Sequence, residues 1–125
     1  MKGLFTVAIL CLSACGPLEV NINRAAVAAQ VTHDPAEQAY LAGLRVDYIA
    51  GSPLCDGVDD PRKVILGCFY PADQRIEVAT IDFSRFGGCA LRYDSEMANT
   101  LAHEYRHALQ LYRHLPVTHP LPAMP

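Results

Sequence analysis

The chain has 125 residues, a length that allows one domain. Its 10 lysine and arginine residues against 13 aspartate and glutamate residues give a net charge of −3. Because binding to phosphate backbones requires clustered positive charge, this composition argues against nucleic acid as a partner.

The start of the chain predicts a signal peptide at residues 1–14. Lys2 supplies a positive charge, residues 4–12 are apolar, and small residues precede Cys15. The apolar run is too short to cross a bilayer as a helix, but it has the length of a signal-peptide core. The junction Leu-Ser-Ala-Cys at 12–15 resembles the lipobox of bacterial lipoproteins. This resemblance implies cleavage before Cys15 and lipidation of that cysteine, with palmitate among the acyl chains.

Lipidation implies a protein anchored to a membrane of the bacterial cell envelope. Gly16 follows the cysteine, at the position where an aspartate would favour the inner membrane of enteric-type bacteria. We therefore expect the periplasmic face of the outer membrane. Residues 15–32 are predicted to be a lipidated tether, in which an alanine-rich stretch can add a short helical turn. The folded domain is then expected at 33–125.

Export also determines how the remaining cysteines are expected to behave. Cys55, Cys68 and Cys89 would lie in an oxidising compartment, where two of the three should pair. Their spacings do not match the two close pairs of a zinc ribbon. We expect a disulfide between Cys55 and Cys68, with Cys89 buried and unreactive.

The first element predicted within the domain is a helix. Asp34 can cap its N terminus, and apolar residues follow at helical spacing as far as Tyr48. Gly51 and Pro53 are expected to end this helix. The polar residues 52–62 then predict a solvated loop.

Two strands and a long helix are predicted after this loop. Residues 63–70 and 75–81 have strand character, and the polar segment 71–74 joins them as a hairpin. Residues 94–115 predict a helix that begins with a capping residue. The residues able to cap it are Asp94 and Ser95. The order helix, hairpin, helix predicts the α+β fold class.

The last predicted helix carries the pattern His103-Glu104-Tyr105-Arg106-His107. At about 100° per residue, the two histidines lie about 40° apart on a polar side, with Glu104 on the adjoining flank. Imidazoles one turn apart can bind the same tetrahedral zinc ion, while Glu104 can reach a zinc-bound water without binding the metal. The opposite side is apolar and is expected to face the core through Met97, Leu101, Tyr105, Ala108, Leu109, Tyr112 and Leu115.

The stretch 100–110 resembles the active-site helix of zincin metallopeptidases. Leu101 and Ala102 precede the first histidine as an apolar-small pair, and Ala-Leu-Gln follows the second. The resemblance extends over 63–115, although only the helix is a specific match. It implies Zn²⁺ as the cofactor and hydrolysis of peptides or proteins of the envelope by zinc-activated water. It also implies Glu104 as the general base and a sheet edge that holds the substrate extended above the metal.

The third zinc ligand is left open by the sequence. No aspartate or glutamate follows Glu104, as a gluzincin would require, and Gln110 stands where metzincins have a glycine. His119 is the favoured candidate, because Pro116 should end the helix and the next residues are long enough to fold back towards the metal. The other candidates are His33, Asp82 and His114.

Two other functions remain compatible with these residues. The missing acidic ligand and the small size of the domain favour a zinc-stabilised binding lipoprotein of the envelope that catalyses no reaction. The other is a lipoprotein that binds no metal and acts as an envelope adaptor.

Overall fold

The computed structural model describes residues 20–53, 55, 65–82 and 90–114. These residues form a small mixed α+β domain, which confirms the predicted fold class. Its helices are α1 (Arg24–Val31), α2 (Pro35–Ala42) and α3 (Asp94–Tyr112). Its strands are β1 (Arg45–Ile49), β2 (Gly67–Tyr70), β3 (Arg75–Ala79), β4 (Ile81–Asp82) and β5 (Ala90–Leu91). The predicted signal peptide, Cys15, Cys89 and His119 lie outside the described residues.

Helix α1 occupies the segment that the sequence predicted to be a tether. Asn23 caps it, since its Oδ1 accepts a hydrogen bond of 3.1 Å from the backbone N–H of Ala26. The side chains of Val27, Ala28 and Val31 are buried in the core and lie on one side of the helix. The tether was predicted to extend to residue 32. This prediction is wrong for residues 24–31, because the alanine-rich stretch has an apolar side that faces the core.

Helix α2 begins as predicted and ends earlier than expected. The Oδ1 atom of Asp34 accepts a hydrogen bond of 2.9 Å from the N–H of Ala36, but the helix ends at Ala42. The residues up to Ile49, predicted to continue the helix, form strand β1 instead. This segment combines β-branched and aromatic residues, which suit a strand when a neighbouring strand is available for pairing.

The sheet places β3 at its centre, in the order β1-β3-β2. Strand β1 runs parallel to β3, whereas β2 is antiparallel and forms an edge of the sheet. The predicted hairpin is confirmed, because β2 and β3 are joined by a short 3-10 turn at Pro71–Asp73 and by Gln74 with a positive φ of 50°. Ile81, predicted at the end of this strand, belongs to the separate two-stranded sheet of β4 and β5.

Helix α3 packs across the domain through the apolar side that the sequence predicted. Its N-cap is Tyr93, one residue before Asp94 and two before Ser95, the expected caps. Met97, Leu101, Tyr105, Ala108 and Leu109 are all buried in the core. Tyr112 was predicted to join them, but it is exposed at the end of the helix, and Leu115 lies outside the described residues.

No helix in the described part of the chain is both long enough and apolar enough to cross a bilayer.

An ion pair and a disulfide join elements that are distant in the chain around α3. The buried carboxylate of Glu37 in α2 accepts hydrogen bonds from the Arg113 guanidinium at the C terminus of α3 and from the Thr32 hydroxyl. Mainly because of the hydrogen bonds from Arg113, the pKa of Glu37 falls to about 2. The second link is a disulfide between Cys55 and Cys68, the pair favoured by the sequence, with 5.6 Å between the Cα atoms. It connects the loop after β1 to the edge strand β2.

Candidate metal centre

The polar side of helix α3 is covered more than the sequence predicted. His103 is exposed, but only 6% of Glu104 and 8% of His107 remain accessible. Of the two histidines predicted on the polar side, only His103 is therefore exposed to solvent. For Glu104 the cause is tertiary, because strand β2 passes over this part of the helix.

The two histidines converge at their Nε2 atoms. The Nε2 atoms of His103 and His107 are 3.2 Å apart, with the ring planes inclined at 76°. Two imidazole nitrogens bound to one tetrahedral zinc ion, at about 2.0–2.1 Å each, would lie about 3.3–3.4 Å apart. The pair thus already has the separation that a shared zinc ion requires.

Glu104 lies one residue after His103 and packs directly against β2. A Cβ atom at Gly67 would lie 3.1 Å from Oε2 and 3.3 Å from Cγ of Glu104, and only 2.4 Å from Cγ2 of Thr100. Glycine is therefore required at position 67 for the strand to approach the helix so closely. Glu104 occupies the space that a larger residue on β2 would fill.

The environment of the Glu104 carboxyl changes its protonation. Burial raises its pKa to about 7, although a hydrogen bond from the backbone N–H of Phe69 favours the charged form. A carboxyl with this pKa can both accept and donate a proton near neutral pH. Such a shift in a buried acid next to two histidines is typical of a catalytic site.

Strand β2 turns some of its backbone groups away from β3 beside this carboxyl. The N–H of Ala79 donates a hydrogen bond of 2.8 Å to the carbonyl oxygen of Leu66, which identifies these two residues as a hydrogen-bonded pair. Because bonded and non-bonded pairs alternate along an antiparallel ladder, the backbone groups of Gly67 and Phe69 point away from β3. The contact between Glu104 and the Phe69 N–H lies at this outer edge.

The second histidine also has a partner within its own helix. The Nδ1 atom of His107 lies 3.3 Å from Oε1 of Gln110, and both side chains are buried. The sequence marked Gln110 only as the residue at the position of a metzincin glycine. The three-residue spacing on a helix was the signal that would have predicted this contact.

The described residues do not identify a third zinc ligand. Among residues 20–53, 55, 65–82 and 90–114, no group of three or more histidine, cysteine, aspartate or glutamate side chains is arranged to hold a metal ion. His33 is exposed before α2, Asp82 is buried on β4, and His114 is exposed with a φ of 57° after α3. The favoured candidate, His119, lies outside the described residues.

Comparison with models of known protein families, with curated proteins and with solved structures found no match. A function for this chain has to be inferred from the residues of α3 and β2.

Proposed function

We propose that this protein is a zinc-dependent peptidase anchored to the bacterial envelope by a lipid on Cys15. The observation that carries the proposal is the arrangement on helix α3. Two imidazole Nε2 atoms lie 3.2 Å apart, and the next residue after His103 is a buried carboxyl with a pKa raised to about 7. A buried acid is costly to maintain without a function.

Each residue of the arrangement has a distinct chemical role. His103 and His107 would hold the zinc ion, with His119 as the candidate third ligand. When bound, zinc would supply a Lewis acid that polarises a peptide carbonyl and lowers the pKa of water. Glu104 would take a proton from the attacking water and return it to the leaving amine.

The substrate would bind along the outer edge of β2. The backbone groups of Gly67 and the carbonyl of Phe69 point away from β3 there, while the Phe69 N–H is bonded to Glu104. An extended peptide could pair with such an edge as an additional strand. This placement would bring a peptide backbone beside Glu104, which lies near Gly67 and accepts a hydrogen bond from Phe69. Peptides or proteins of the envelope are the expected substrates.

Metal content and peptide cleavage, measured on the same preparations, test this function. Wild-type protein and Glu104→Gln should each contain about one zinc per chain, because Glu104 is not expected to be a ligand. Only the wild type should cleave a mixed peptide library. His103→Ala should lose both zinc and cleavage, whereas Arg45→Ala, at an exposed side chain of β1 that is not a ligand candidate, should retain both. Wild-type protein that takes up no zinc would disprove the proposal.

A specific observation also supports a second function. The Glu104 carboxylate is largely buried and already accepts a hydrogen bond from the Phe69 N–H. This contact favours a structural role, in which zinc stabilises a binding lipoprotein that catalyses no reaction. In that case zinc would be bound by four protein ligands, since structural zinc sites leave no open position. X-ray absorption that finds four protein ligands, together with no cleavage, would decide for this alternative.

Lipid anchoring can be tested independently of zinc. Intact mass spectrometry of the protein purified from the membrane fraction should show a chain that starts at Cys15 and carries acyl groups. Cys15→Ser should give an uncleaved or soluble form instead. An unmodified N terminus at any other residue would refute the anchor without bearing on the metal.

A further inference from the structure

We infer that Gln110 is a positioning residue that sets the tautomer of His107 and so directs its Nε2 lone pair towards the point shared with His103. This inference rests on the proposed zinc site and adds a residue to it. The contact that carries it is the 3.3 Å separation between Nδ1 of His107 and Oε1 of Gln110.

A neutral imidazole has one nitrogen that donates and one that accepts. An amide oxygen can only accept, so its position beside Nδ1 requires the proton of His107 to be on Nδ1. The Nε2 atom then carries the lone pair, as a zinc ligand must. The tautomer of His103 follows as well. In the metal-free protein its Nε2 atom, 3.2 Å from Nε2 of His107, has to carry the proton and donate a hydrogen bond to that lone pair.

The burial of Gln110 makes this restraint effective. The side chain is only 3% exposed, one turn of α3 beyond His107, and the contact itself is buried. Water therefore competes little for either partner, and a buried imidazole N–H without an acceptor would be costly. Side chains that accept the second N–H of a metal-binding histidine orient the ring and raise its affinity for the metal.

Side-chain ¹⁵N NMR of the full chain without metal tests the inference directly, at a pH where both imidazoles are neutral. We expect His107 to carry its proton on Nδ1 and His103 on Nε2. Gln110→Leu removes the acceptor at similar volume and should shift His107 towards the Nε2–H form. Gln110→Glu keeps an acceptor and should retain the wild-type form. The control Gln38→Leu, at a half-buried glutamine of α2, should change neither histidine.

Zinc affinity provides the second measurement, with Zn²⁺ alone competed against a chromophoric chelator. Gln110→Leu should weaken binding by about 10–100-fold, whereas Gln110→Glu should bind at least as tightly as the wild type. His107 protonated on Nε2 in the wild type, an unchanged tautomer in Gln110→Leu, or unchanged zinc affinity in that variant would overturn the inference. If the tautomers behave as expected but the wild type binds no zinc, the proposed function fails and the role of Gln110 in setting the His107 tautomer stands.

Discussion

Removing the charge of Glu104 should stabilise the metal-free protein at neutral and alkaline pH. This result would be unusual, because most substitutions of buried residues destabilise. Glu104 is only 6% exposed, and burial raises the pKa of its carboxyl from 4.5 to about 7. The charged carboxylate is therefore less stable in the folded protein than in the unfolded chain. Whenever the pH favours the charged form, this difference lowers the free energy of unfolding.

The magnitude follows from the two pKa values. At 1.36 kcal/mol per pKa unit, the difference between 4.5 and about 7 corresponds to about 3 kcal/mol. Below the unfolded value the carboxyl is protonated in both states and contributes no penalty. Between the two values the folded state binds more protons than the unfolded state, so the free energy of unfolding falls as pH rises. Above about 7 the full penalty is present.

Glu104→Gln replaces the carboxyl by a neutral amide of the same shape, whose oxygen can still accept the hydrogen bond from Phe69. We expect the variant to exceed the wild type by about 2–3 kcal/mol in free energy of unfolding at about pH 8, and by much less at about pH 5. Urea denaturation in the presence of a chelator measures both differences. The matched control is Glu77→Gln, because Glu77 forms a partly exposed ion pair with Arg75 and its removal should not stabilise at either pH.

Equal unfolding free energies of the wild type and Glu104→Gln at both pH values would refute this reasoning. Such a result would mean that solvent reaches the carboxyl. The unusual pKa would then no longer support a catalytic role for Glu104.

Two further predictions concern the elements that hold α3. Glu37→Gln should lower the free energy of unfolding by about 1–3 kcal/mol at neutral pH, since it weakens charge-assisted hydrogen bonds with Arg113. The pKa of Glu37 is lowered from 4.5 to about 2, so the stabilisation by this carboxylate is present above pH 4.5 and is lost as pH falls towards 2. The unfolding free energies of the wild type and Glu37→Gln should therefore converge at about pH 2. Gly67→Ala should cost about 1–3 kcal/mol and weaken zinc binding, because the new Cβ would meet Thr100 Cγ2 at 2.4 Å. Thermal melts should show no such loss for the control Gly51→Ala, since a Cβ at that position meets nothing within 4 Å. Equal losses of stability in Gly67→Ala and Gly51→Ala would contradict the close approach of β2 to α3.

Part of the candidate site could be predicted from sequence because it depends on a single helix. The spacing of His103 and His107 is a local property of the backbone, and the structure shows their Nε2 atoms facing each other. The core-facing side of α3 is equally local, since Leu101 and Tyr105 follow the helical period and are buried. The hairpin of β2 and β3 was also predictable, because a short polar segment between two strand-like runs favours a turn.

Other features depended on contacts between residues distant in the chain. The β-branched and aromatic residues at 45–49 suit a strand but also fit the helical spacing, and they form β1 because β3, from a later part of the sequence, pairs with them. The elevated pKa of Glu104 likewise arises from burial beneath β2, where Gly67 permits the close approach. The amino-acid sequence by itself determined which residues of α3 share a side. Only the tertiary structure decided which of them were removed from water, because desolvation depends on what packs against the helix.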